Sequence, residues 1–455
     1  MANLILWNSQ NNSTALARSL ASYQLASWIR QHGYTVKVID FCHRMTTAEL
    51  VAITKKHTDS DTLAIGVSTT FWRDIDDNTG IEPKWVIDGR TTLANERIYW
   101  LLGGAITKLT LQFNWVRFLE AGEDALLEWM DRRSVKLIRR ELFDITRSST
   151  AFSNNDYIQP YEVLSMELGR GCQFRCKFCS YPLLGKKKGT YIRDYNIIKE
   201  DLIRNYEELG VTRYSFIDDT VNESEEKVYA LANIAQNLPF KLEWVGYNRL
   251  DLIWSRPGTI QALKDSGLKS AFFGIESFHP HASAVIGKGW NGRHGKEFLL
   301  KLKEEWKDEI TWTLGLIAGL PGETPEDLEN TLQWCIDSGM YNWNFFTLYI
   351  DYGPAKILKS EFDREYKKYG YTFPENNLNW KNDIWTRDEA DLLALKLNTV
   401  THSQCSLAGF KLATAASLGY SFDELMHKIK MELPTIEFEK RIDNFIRAYV
   451  QNQLK

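Results

Sequence analysis

The stretch Gly171-Cys172-Gln173-Phe174-Arg175-Cys176-Lys177-Phe178-Cys179 places three thiols within eight residues. Thiolates at Cys-x3-Cys-x2-Cys spacing fold round one face of a cubane [4Fe-4S] cluster, holding three irons and leaving the fourth without a protein ligand. That open iron is where a substrate or cofactor binds. Two other uses of the thiols compete. A zinc site usually wants a fourth Cys or His nearby, and buried structural thiols rarely come three so close together. Of the six cysteines in 455 residues, Cys335 sits in a helical pattern and Cys405 stands apart, so no second cluster is spelled out.

The elements that must position this loop repeat a strand-helix rhythm. Strands are expected at 163–168, 214–217, 242–247, 270–275, 311–317 and 344–350, with helical segments at 195–209, 225–237, 258–265, 295–307 and 325–338 between most of them. Six such units make a partial (β/α)6 barrel, open on one side, with its chemistry at the C-terminal ends of the strands. The cysteine loop follows the first strand.

With Phe178 just before the last thiol, the pattern resembles the signature of the radical S-adenosylmethionine (SAM) superfamily. The resemblance implies that Cys172, Cys176 and Cys179 ligate a [4Fe-4S] cluster whose open iron binds the amino and carboxylate groups of SAM. The sulfonium is then reduced to release a 5'-deoxyadenosyl radical, and an electron donor such as flavodoxin or ferredoxin is implied. Further strand ends resemble family positions. Ile217-Asp218-Asp219-Thr220 is similar to an Asp-Asp strand end near the SAM amino group, with capping of the helix that starts near Glu223 as the plain alternative. Arg249, after Trp244-Val245-Gly246-Tyr247-Asn248, stands where relatives place an Arg on the SAM carboxylate; a surface role competes. Phe273-Gly274-Ile275-Glu276-Ser277 resembles the pattern whose carboxylate approaches the ribose or methionyl part, Gly274 permitting close backbone approach. Gly319-Leu320-Pro321-Gly322-Glu323-Thr324 resembles the fifth-strand segment, where Thr324, Pro325 and Asp327 form a helix start and Glu323 is equally read as structural. Tyr349, Asp351 and Tyr352 end the sixth strand; Tyr349 and Tyr352 are the candidate catalytic residues facing substrate, with packing as the alternative.

Before the barrel, residues 1–145 read as strand 4–7, helix 15–31, strand 35–41, helix 47–58, strand 62–68 and strand 97–104, an α/β, doubly wound (Rossmann-like) domain. Residues 72–88 form a long connection, and 147–155, rich in Ser, Thr and Asn, read as the linker. This domain resembles the cobalamin-binding domain of one radical SAM subgroup: 33–40 as second-strand entry, Leu101-Leu102-Gly103-Gly104 as a Gly-Gly strand end, and Ala121-Gly122-Glu123-Asp124 as the Gly-Glu turn. Gly103, Gly104 and Glu123 are its candidate cofactor residues. The Asp-x-His-x-x-Gly signature is absent, since Asp40-Phe41-Cys42-His43 does not reproduce it, and His43 reads as a surface or packing histidine. Many members of the subgroup lack that His, so its absence leaves cobalamin open.

Residues 366–455 read as a small helical domain with segments at 387–401, 405–417, 421–429 and 435–453, after Trp380 and Trp385. Lys plus Arg number 55 against 59 Asp plus Glu, a net charge of −4, which argues against a general grip on nucleic acid. No run approaches the roughly 20 apolar residues of a membrane span, no secretory leader is visible, and the cysteine usage suits a reducing compartment, so the expectation is a cytoplasmic protein. The expected enzyme cleaves SAM reductively and acts on an unknown small molecule or peptide, by cobalamin-dependent methyl transfer to an unactivated carbon. A cobalamin-independent rearrangement, epimerisation or other C–H functionalisation with a degenerate first domain is the alternative. Methylthiolation usually comes with a different N-terminal domain carrying three cysteines of its own. A binding module built on a structural metal is the non-enzymatic reading.

Overall fold

The computed structural model describes residues 1–455 except 10–15, 69–81, 95–96, 105–113, 119–121, 135–140, 181–190, 289–291, 308, 341, 351–358, 375–378, 405–409 and 429–434; the side chains of 401–404, 410–411, 426–428 and 435–437 are also left undescribed. Two all-parallel sheets organise it. The first joins β1 (Leu4–Trp7), β2 (Val36–Ile39), β3 (Ala64–Ser68), β4 (Tyr99–Gly103) and β5 (Val116–Phe118) in the order β2-β1-β3-β4-β5. Alternation along each strand splits the side chains between two faces. Leu4, Leu6, Val36 and Val38 pack under the helices Leu20–Gln31 and Gly122–Arg133. Ile5, Trp7 and Ile39 pack under Thr47–Lys56 and Lys84–Thr92. Helices on both faces make the domain doubly wound, and the order reverses at β1/β3, where such sheets bind ligands.

The second sheet runs β11-β10-β9-β8-β7-β6 without a break in sequence order: β6 (Val163–Met166), β7 (Arg213–Phe216), β8 (Glu243–Asn248), β9 (Leu268–Glu276), β10 (Thr311–Ala318) and β11 (Trp343–Thr347). This is the open (β/α)6 barrel. Its helix-facing residues, among them Tyr214, Phe216, Trp244, Phe273 and Trp343, are fully buried. Helix Tyr195–Leu209 starts at the Asp194 cap and stops at Gly210, whose φ of 72° is the left-handed conformation glycine tolerates.

Three expectations change. Residues 147–155 are not a loose linker: Ser148, Thr150 and Phe152 are buried, and the Ser149 hydroxyl donates to Asp201 Oδ1 at 2.6 Å. The C-terminal part is not a separate cap. Tyr371, Trp380, Trp385 and Leu397 join the barrel core, whereas Leu412, Phe422, Ile442 and Tyr449 join the core of the first domain. Helix 15–31 begins only at Leu20, because the preceding extended residues are drawn into the domain seam: Arg18 is buried between Asp40 and Glu162. No helix among the described residues is long and apolar enough to cross a membrane.

Candidate active site

The cysteine loop springs from the C-terminal end of β6 and is pinched shut at its base. Gly169 bridges Ile192, Arg170 N donates to the Tyr191 carbonyl at 3.0 Å, and Arg193 N donates to the Leu168 carbonyl at 2.8 Å. A Cβ at Gly169 would lie 3.0 Å from the Tyr191 oxygen, so the pinch favours glycine. Beyond it Gly171 turns with φ 101°, and Cys172, Cys176 and Cys179 stand half-buried and free of disulfides. The Cys179 amide donates to the Cys176 carbonyl at 3.0 Å, a tight turn carrying the second and third thiols together. The Lys177 amide donates to Ile286 O, also at 3.0 Å, tying the loop to the end of helix Pro280–Ile286. Phe178 packs against the barrel core. Among the described residues no three thiol, imidazole or carboxylate groups are yet gathered as a finished metal cage. The donor set nevertheless fits an iron-sulfur cluster. Three thiols, none in a disulfide, lie on one short loop, with Thr220 Oγ1 3.4 Å from Cys172 Sγ and the Arg249 guanidinium 3.4 Å from Cys176 Sγ; burial raises the Cys172 pKa against the weaker pull of Thr220.

Around the thiols the strand ends converge, though not always with the expected partners. Asp218 does not cap a helix, a task that falls to Ser224, nor does it face the mouth of the barrel. It is buried, with Oδ1 at 2.8 Å from Lys227 Nζ and Oδ2 accepting from Leu168 N at 2.7 Å. Lys227 is fully buried and also meets Glu223 at 2.9 Å; Glu223 in turn accepts from the Tyr191 hydroxyl at 2.6 Å. This network fixes both feet of the cysteine loop. Asp219 is the less buried of the two acids.

Arg249 is held by Asn222, which exchanges two hydrogen bonds with its backbone. Its fork is taken by Asp251, Nε at 3.0 Å and Nη2 at 2.6 Å, and its plane lies 4.2 Å over the Phe174 ring. Only Nη1 turns to the thiols, so the expected two-pronged grip on a ligand carboxylate is not how this side chain is used here.

Glu276 ends β9 with φ 68°, a left-handed backbone uncommon for a residue with a side chain. The cause is a register slip: Gly315 pairs with Gly274 but Leu316 with Glu276, so Ile275 is bulged out and the carboxylate is re-aimed. It folds back over Gly274, where a Cβ would sit 2.5 Å from Oε1; the close approach there is by the chain itself. Ser277 is fully buried and donates to Glu323 Oε1 at 2.6 Å, so it supports the turn and does not face the mouth. Thr324 caps helix Pro325–Asp337 with Asp327, as the sequence suggested. Tyr349 lies half-buried with the Arg387 guanidinium 5.9 Å over its ring; Asp351 and Tyr352 fall outside the described residues.

Glu323 gives a prediction. Its Oε2 is buried with no hydrogen-bond partner among the described residues, and burial, against a weaker pull from Ser277, pushes its pKa up from 4.5 to about 8. Between those values the folded chain keeps a proton that the unfolded chain has released. Stability from this group is therefore full below pH 4.5 and falls as pH rises, by about 1.4 kcal/mol per unit. E323Q should remove that slope, so urea midpoints at pH 6 and 8 are expected to differ less for the variant than for the parent; equal differences would contradict the assignment.

In the first domain, β1, β3 and β4 end in Asn8, Ser9, Ser68, Gly103 and Gly104, all small or polar; Asn8 is buried and bonded to Asp40, Ser19 and Ser22, and Gly104 has φ 111°. His43 does pack: its Nδ1 lies 2.8 Å from Ser9 Oγ, and burial with Arg44 lowers its pKa to about 4. It follows the outer strand β2 and its ring reaches Ser9 at the end of β1, whereas His32 and His57 lie at the opposite ends of the strands. Glu123 is engaged by Arg170, at 2.8 Å, beside the cysteine loop. Arg170 also bonds Gln24 and, at 2.9 Å, Glu167. One guanidinium thus binds the N-terminal halves of two helices at the ligand edge of the first domain to the root of the thiol loop. Sequence reasoning missed Thr220, Asn222, Lys227, Asp251, Lys288 and the bridging role of Arg170; only Asp251, two residues from Arg249, left a local signal.

Comparison with known proteins agrees with this geometry. The family model described as the radical SAM superfamily matches residues 166–335. An uncharacterized methyltransferase of Pyrococcus horikoshii is 23% identical over 343 residues, 68% of this chain and 71% of that protein. The anaerobic magnesium-protoporphyrin IX monomethyl ester cyclase of Cereibacter sphaeroides is 24% identical over 217 residues, 46% of this chain and 34% of its own. Among solved structures, the radical SAM methyltransferase TsrM of Kitasatospora setae, with cobalamin and a [4Fe-4S] cluster bound, superposes with a TM-score of 0.58 at 14% identity, covering 100% of this chain and 99% of that one. The cobalamin-dependent SAM radical enzyme OxsB, with aqua-cobalamin and SAM bound, gives 0.56 at 14% identity, covering 100% and 72%. At these identities the two structures establish a shared fold.

Proposed function

We propose that this chain, whose residues 166–335 belong to the radical S-adenosylmethionine superfamily, is a cobalamin-dependent methyltransferase acting at an unactivated carbon of a small molecule or peptide. Enzymes of this superfamily need a reductant, and a flavodoxin or ferredoxin is the proposed donor. The observation that carries the reading is Arg170, which holds the ligand edge of a doubly wound domain against the root of a three-thiol loop. Such a seam suits two cofactors that must work on one substrate.

When bound, the cluster supplies the electron that cleaves SAM, and the corrinoid supplies a methyl carrier. Cys172, Cys176 and Cys179 would hold the cluster, with Thr220 and Arg249 tuning the thiols beside them. Glu276 and Asp219, at the mouth of the barrel, would meet the polar groups of SAM. The small residues at the β1, β3 and β4 ends would admit the corrinoid. Tyr349 would face the substrate.

Anaerobic reconstitution with iron, sulfide and hydroxocobalamin, followed by desalting and a visible spectrum, tests this. Corrinoid bands retained beside the broad cluster absorption are expected. A cluster spectrum without corrinoid would contradict methyl transfer and leave the cobalamin-independent radical chemistries.

A further inference from the structure

Lys288 has no place in the sequence motifs, yet it joins two parts of the site. Its side chain is 5% exposed. Nζ donates to the Gly274 carbonyl at 2.7 Å and lies 3.4 Å from Glu276 Oε1, so it grips both the backbone of the bulge and the carboxylate that the bulge re-aims. Its own position is fixed from the other side. Gly287, at φ 82°, ends the helix whose last carbonyl, that of Ile286, accepts the amide next to Cys176. A left-handed glutamate folded against its own strand persists only where its surroundings hold it; Lys288 is the cation in contact with it, and the more distant Arg249 adds to the same field.

Resting on the assignment of Glu276 to SAM, we propose that Lys288 is a positioning residue for SAM recognition: it clamps the Gly274–Glu276 bulge and orients the Glu276 carboxylate toward the polar end of SAM, without taking part in cluster assembly. The remaining carboxylate oxygen is then left for the ligand. Gly274 belongs to the same device, because any side chain there would displace the carboxylate from the clamp.

The test uses the reconstituted full chain and radiolabelled SAM in anaerobic equilibrium dialysis, with iron and sulfide measured on the same samples. K288M is expected to weaken SAM binding by roughly tenfold or more, the scale of losing an outer partner to a binding group, with iron content unchanged. K288R should recover most of the affinity, since a guanidinium can also bond a carbonyl and a carboxylate together. In K288M/E276Q the loss should not exceed that of the worse single variant, as for two residues acting through one contact. Unchanged affinity in K288M, iron lost together with affinity in both Lys288 variants, or an E276Q chain that binds SAM normally while K288M does not would each overturn the proposal. If the parent chain holds its iron but binds no SAM, the proposed function fails first.

Discussion

An alanine at Cys176 is expected to abolish SAM cleavage while leaving the chain folded. The side chain is half-buried on a loop, outside both hydrophobic cores, so its loss opens no core cavity. Two thiolates cannot hold three irons, and Arg249 would lose the sulfur it meets at 3.4 Å. Removing even an outer partner of a metal ligand costs about 10–100-fold in affinity or activity, and removal of a ligand should exceed that. Iron and sulfide should fall to background with the far-ultraviolet circular dichroism unchanged. A C176A chain that retains its cluster and forms 5'-deoxyadenosine would refute the ligand assignment.

The largest effect on stability is expected at Arg18. This buried guanidinium meets Asp40 at 2.6 Å and takes both oxygens of Glu162, Nε at 2.7 Å and Nη2 at 3.0 Å, between the rings of Phe41 and Tyr449, each 5.3 Å away. One side chain therefore joins the first domain, the start of the barrel and the last helix. R18M keeps the volume but leaves two carboxylates buried without their cation, a loss of about 3–5 kcal/mol. The urea midpoint should fall accordingly, and R18K should recover only part, because an ammonium cannot fork onto Glu162. A change below about 1 kcal/mol, the scale of an exposed pair, would show that the seam does not depend on this cluster.

The strand-helix rhythm was legible because both periodicities are local. Helix Tyr195–Leu209 matches its expected span, since Asp194 and Gly210 punctuate it in the sequence itself. The helices Lys84–Thr92 and Gly122–Arg133 were missed, one straddling the end of a supposed insertion and the other behind a supposed turn, because their apolar periodicity is weaker than that of Tyr195–Leu209. At the site, the thiol spacing is a property of nine consecutive residues and could be read directly. Partnerships could not. Asp218 looks like a ligand-facing acid until Lys227, carried by the next helix, is seen to neutralise it. Arg249 looks free to bind a carboxylate until Asp251 occupies its fork. Glu276 reads as one acid among many, whereas its left-handed backbone follows from a register slip against β10, which no local pattern encodes.

The central claim is that the three thiols build a cluster that cleaves SAM. It is tested most directly by reducing the anaerobically reconstituted chain with dithionite in the presence of SAM and quantifying 5'-deoxyadenosine by chromatography. The account predicts 5'-deoxyadenosine from the parent chain and none from C176A. A parent chain that carries zinc in place of iron, or that holds its cluster and forms no 5'-deoxyadenosine under reduction, would contradict it.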